Sequence, residues 1–170
     1  MSEQRDRDPV GRARNARPRD ALGRPLAHGE TGVERVPDDL VLPPVESLRE
    51  AQRLLDADLP FHAHEVLEGT WKAASTEERD LWQGLAQLAV GLTHVLRGNP
   101  VGARTLLERG RARIASYADR PPYGVDVPGL TTWATDLLDR LTDLDAQPMV
   151  APPRLQRGAA QSAATSRAGR

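Results

Sequence analysis

Phe61-His62-Ala63-His64-Glu65-Val66-Leu67-Glu68-Gly69-Thr70-Trp71 is the stretch whose reading decides the fold. At about 100° per residue, side chains four apart share one face of a helix. His64 and Glu68 are four apart, and Phe61, Leu67 and Trp71 fall on the same arc. The spacing predicts that this arc meets the core. Glu65 and Lys72 border it, while His62, Val66 and Thr70 point elsewhere, with His62 at the surface. A histidine and a carboxylate among Phe, Leu and Trp need partners, because an unpaired buried polar group costs ~1–3 kcal/mol and a charge costs more.

The flanking sequence supplies the helices that would provide them. Pro43-Pro44 opens helix one, about 44–57, with Val45, Leu48, Ala51, Gln52 and Leu55 at helical spacing. Asp58 is a good N-cap and Pro60 stands just inside the start of helix two, which ends near Ala74. Ser75-Thr76-Glu77-Glu78 has the spacing of a capping box, so helix three is expected from about Thr76 to Arg97. After Leu81 it is apolar nearly all round, the mark of a central helix. Its exceptions, Gln83, Gln87 and His94, fall within one narrow arc, and Gly91 beside them admits a close neighbour.

Gly98-Asn99-Pro100 closes helix three and opens helix four, with Asn99 as cap. Ala103, Leu106, Leu107, Gly110, Ile114 and Tyr117 make the inner face of helix four. Arg120-Pro121-Pro122-Tyr123-Gly124 breaks the chain before helix five, about 130–144, with Leu130, Trp133, Leu137, Leu138 and Leu141 inside. No run alternates with strand period. The fold class is therefore all-α, a compact bundle of about five helices with disordered N- and C-terminal tails. The expected divisions are a disordered arm over 1–39, a helical domain over 40–145 and a disordered tail over 146–170.

Charge and composition narrow the function classes. The 170 residues include no cysteine, which excludes disulfides, thiol catalysis and Cys-ligated zinc and fits a cytoplasmic location. Net charge is −1, but unevenly spread. Residues 1–36 carry eight Arg against six acids, and residues 146–170 four Arg and no acid. The middle is acidic, which argues against specific nucleic-acid binding on the folded part, although the basic tail leaves room for weak non-specific contact. No apolar run approaches the ~20 residues of a membrane span, and no secretory signal is visible.

Two polar sets, His64 with Glu68 and Gln83 with Gln87 and His94, would face each other between antiparallel helices two and three. One reading is a metal site with His64, Glu68 and His94 as ligands, lined by Glu65, Gln83, Gln87 and Trp71. Nitrogen and carboxylate donors favour zinc, iron or manganese over calcium. A metal-dependent hydrolase follows if Glu65 or Glu68 acts as base on bound water. The stretch is not H-E-x-x-H, because position 68 is Glu. A second reading makes the same side chains a hydrogen-bond network that fixes helix register. The domain is then an interaction or assembly module, a homo-oligomer that buries a patch around Trp133 or Tyr123.

Phe61-x-x-His64-Glu65-x-Leu67-Glu68-x-x-Trp71, then Gln83-Gly84-Leu85-x-Gln87-Leu88-Ala89, then His94-x-x-x-Gly98-Asn99-Pro100-x-Gly102-Ala103, resembles the prokaryotic "domain of unknown function 309" family. The likeness covers roughly 45–145. It implies a small all-helical domain with the site at His64, Glu65, Glu68 and Trp71, and it implies no particular activity. The Gly98–Ala103 passage also resembles the turn of tetratricopeptide-like repeats, but no second copy occurs at a fixed period. A peptide-binding or scaffold role follows from that likeness alone.

Overall fold

The computed structural model describes residues 17–141 and 149–158. Five helices follow in order: α1 (Pro44–Asp56), α2 (Pro60–Ala73), α3 (Arg79–Leu96), α4 (Pro100–Ile114) and α5 (Val127–Arg140). Two short 3-10 turns, Ala115–Tyr117 and Pro122–Gly124, connect α4 to α5. Among the described residues the chain is an all-α bundle with only isolated β-bridges. No described helix is long and apolar enough to cross a membrane.

α3 is central, as its near-continuous apolar character requires. Leu81, Trp82, Leu85, Leu88, Ala89 and Leu92 are all buried. It packs most extensively on α4 and then on α2. Glycines permit the α3–α4 approach. A methyl group on Gly84 would lie 3.0 Å from the Gly110 carbonyl and 2.6 Å from the Ile114 side chain. One on Gly91 would lie 2.8 Å from Leu107, so the close neighbour of Gly91 is α4. Between α1 and α2, Ser47 and Thr70 bring buried hydroxyl oxygens to 2.6 Å. Thr70 donates back to the Val66 carbonyl, which makes Ser47 the donor of the pair.

Several element ends differ from the sequence expectation. Asn99 caps α4 by accepting from the Gly102 amide at 3.0 Å, as its position suggests. Asp58 does not cap α2; its φ of 58° places it in the left-handed turn that ends α1, and Leu59 precedes the helix. Ser75 makes no capping bond either, and residues 76–78 form a turn before α3 starts at Arg79. Glu78 serves instead as acceptor for the Trp82 indole at 3.1 Å and the Tyr123 hydroxyl at 2.8 Å. α5 begins earlier than expected, because Asp126 caps it through the Gly129 amide and Pro128 stands in its first turn. The expected end near Leu144 lies outside the described residues.

The segments expected as disordered tails are described in part. Residues 1–16, 142–148 and 159–170 lie outside the described residues, but 17–40 and 149–158 lie on the bundle. Residues 17–40 form a strap over α2 and the end of α3, folded on itself by bridges from Arg19 to Pro25 and Val33. The Arg97 guanidinium donates to the Leu22 carbonyl, tying the strap to α3. At the other terminus Leu155 is buried, its amide donates to the Gln52 side chain at 2.8 Å, and Gln156 bridges to Val125. Trp133 donates to the Ala151 carbonyl at 3.0 Å.

Candidate functional site

The candidate site belongs to α2, whose Pro60 start and core contacts fix its rotation. The buried side of the helix carries His62, Ala63, Val66, Leu67 and Thr70. Phe61, His64, Glu65, Glu68 and Trp71 are only half-buried. Of the arc predicted to face the core, only Leu67 lies fully inside. The reason lies in the strap. Phe61 looks like a core anchor, but Gly23 packs on its ring and the Arg19 and Arg97 guanidiniums stand 5.2 and 5.7 Å from its centre. The aromatic is covered by the arm, so the helix can turn its aliphatic side inward.

His62 is the corresponding surprise. Expected at the surface, it is 1% exposed, and neither ring nitrogen has a hydrogen-bond partner among the described residues. Burial pushes its imidazolium below the ordinary value of 6.5; Arg19 adds to this and Asp20 opposes it. The signal for it is the row His62, Val66 and Thr70, four residues apart on the side with Ala63 and Leu67, which the aromatic arc of Phe61 and Trp71 outweighs in the sequence.

His64 and Glu68 are brought together. His64 Nδ1 lies 3.2 Å from the Phe61 carbonyl oxygen. A carbonyl only accepts, so Nδ1 carries the proton. Burial is the largest influence on this ring and holds its pKa below the ordinary 6.5, against the pull of Glu68 and the Phe61 carbonyl. The neutral ring then turns the bare lone pair of Nε2 toward Glu68 Oε2, 3.4 Å away. Two acceptors face each other with no proton of their own between them. Lys72 holds the other carboxylate oxygen, Oε1, at 3.0 Å and fixes the orientation of Glu68.

Glu65 stands beside this pair on the strap side. With Glu68, Gly69 and Lys72 it lines a cleft of about 170 Å³, closed by Val36, Pro37, Asp38 and Leu40. Burial raises the Glu65 carboxyl above the ordinary value of 4.5, and Arg35 and Arg19 offset part of this. Gly69 lets the strap pass close, since a side chain there would run into the Leu40 carbonyl.

The other expected site residues lie apart from this pair. His94 Nδ1 accepts from the Asn99 amide at 3.0 Å, at the turn between α3 and α4. That amide orientation is fixed because Asn99 Oδ1 accepts from Gly102. Gln87 Oε1 is buried with no hydrogen-bond partner among the described residues, and Gln83 is half-buried. Among the described residues His64 pairs with Glu68 on its own helix, and no hydrogen bond joins it to either glutamine of α3. Trp71 packs against the core cluster from its edge. No group of three or more His, Asp or Glu side chains stands close enough to hold a metal ion among the described residues. What the chain provides is a pair, His64 and Glu68, with Lys72 and Glu65 beside it.

Comparison with known proteins agrees with the motifs. A family model described as "Domain of unknown function (DUF309)" matches residues 48–106, which span most of α1, all of α2 and α3, and the first half of α4. No curated protein and no solved structure matches the chain.

Proposed function

Residues 48–106 are a DUF309 domain, and from the geometry of its second helix we propose that the domain binds a divalent transition metal at His64 Nε2 and Glu68 Oε2. The observation that carries this is the 3.4 Å gap between a bare imidazole lone pair and a carboxylate oxygen. Metal–nitrogen and metal–oxygen bonds of ~2.0–2.1 Å at tetrahedral angles separate neighbouring ligands by about that distance. The donor set suits zinc, iron or manganese. The Phe61 carbonyl fixes the tautomer and ring orientation, the usual task of an outer partner to a ligating histidine. Lys72 does the same for Glu68. Water or a bound ligand fills the remaining positions, as at sites that keep an open coordination place. The reading is of a binding domain in which His94 takes no part and Glu65 lines the approach.

The test is titration of tag-free protein with zinc and with manganese, followed by calorimetry. About one ion per chain should bind, and His64→Ala and Glu68→Gln should each remove it while the helical signal persists. Absence of binding by the parent protein, or binding that survives both substitutions, would overturn the assignment.

A further inference from the structure

Three guanidiniums gather at one turn of the strap. Arg97, at the end of α3, donates through Nε and Nη2 to the Leu22 carbonyl. Arg19 donates through Nη1 to the Gly23 carbonyl. Both also lie over the Phe61 ring, which orients their planes. Arg24, half-exposed, completes the group. A guanidinium has five N–H donors, so the bonds formed among the described residues leave donors unspent on Arg19 and Arg97.

Little negative charge balances them. Asp20 is the carboxylate of this turn, and its Oδ1 is committed to the Leu22 and Arg24 amides at 3.0 and 2.8 Å. Its Oδ2 stands 4.0 Å from Arg24 Nη1. The three positive charges face Asp20 and, across from Arg19, the half-buried Glu65, so positive charge is in excess. Burial, and then Arg24 and Arg19, disfavour the charged form of Arg97, and Asp20 opposes them. The strap thus arranges cations around a carbonyl-lined turn in a chain whose folded middle is acidic.

We propose that Arg19, Arg24 and Arg97 form a phosphate-binding site, which takes phosphate groups through the guanidinium donors that the turn leaves unspent. Guanidinium forks match phosphate oxygens in geometry, and charge-assisted bonds of this kind are about twice as strong as neutral ones. The phosphates come either from a single-stranded polynucleotide or from a small free phosphate ligand. The site is independent of His64 and Glu68.

The experiment uses the full chain with sodium pyrophosphate and with a short oligouridylate as probes, across a salt series. Arg24→Gln is the informative variant, because the Arg24 side chain does not hold the strap. It should weaken binding ~10-fold. Arg97→Gln should weaken it further. Pyrophosphate binding at least as tightly as the oligonucleotide identifies a small phosphate ligand. Tighter oligonucleotide binding, with the salt slope reduced by about 1 in Arg24→Gln, identifies a polynucleotide. Failure of both probes to bind at low salt, or binding that Arg24→Gln and Arg97→Gln leave unchanged, overturns the proposal.

Discussion

Gly23 lies directly on the ring of Phe61, so that any side chain at position 23 would enter the aromatic carbons. Gly23 also has a φ of 75°, a backbone region that side chains disfavour. Both facts point to one outcome for Gly23→Ala. The strap should lift from α2 while the bundle stays folded, because the strap meets the core cluster only at its edge, through Val36 and Leu40. Hydrogen exchange should show the Val33 and Leu26 amides, which bond Arg19 and Pro18, losing protection while α3 keeps it. Equal loss across α3 would show that the strap is part of the cooperative core.

Gly84 makes the complementary case inside the bundle. Its missing side chain lets the α4 backbone at Gly110 approach α3. Gly84→Ala would gain helix propensity, worth ~1 kcal/mol at most. Overpacking against backbone costs ~1–3 kcal/mol, and backbone yields less readily than a side chain. Net destabilisation is expected, measured as a lower urea midpoint; a raised midpoint would mean that α4 moves aside freely.

His62 makes the fold sensitive to acid. Its folded pKa is lowered, so the folded state binds fewer protons than the unfolded one. The stability contribution is complete above the ordinary histidine value near 6.5 and declines as pH falls below it. His62→Leu removes both the unpartnered nitrogens and the titration. It should raise stability at neutral pH by ~1 kcal/mol and lessen the loss as pH falls below 6.5, leaving the share that His64 and His94 contribute. Thermal melts in the presence of a chelator test this, and an unchanged acid slope in the variant would count against it.

Leu155 anchors the C-terminal return. It is 2% exposed and sits where Gln52 and Val125 receive the chain. Leu155→Ala should cost ~2–5 kcal/mol, the range for a buried leucine. A cost below ~0.5 kcal/mol, as for an ordinary surface position, would mean that residues 149–158 add nothing to the core.

The amino-acid sequence by itself determined the five helices, their order and the centrality of α3. Those features rest on local periodicity, on proline at helix starts and on an apolar run too continuous for a surface helix. It also located the His64–Glu68 pair, since a spacing of four on a helix fixes proximity whichever way the helix faces. The rotation of α2 was decided only by tertiary structure. Phe61 and Trp71 suggested one buried arc, whereas the strap covers Phe61 from outside and frees the side with Ala63, Val66 and Leu67 to enter the core. The cover over Phe61 and the gathering of Arg19, Arg24 and Arg97 have the same origin. Each depends on where a polar segment of low periodicity comes to rest, and that is set by contacts between residues as far apart as Leu22 and Arg97, which local spacing does not encode.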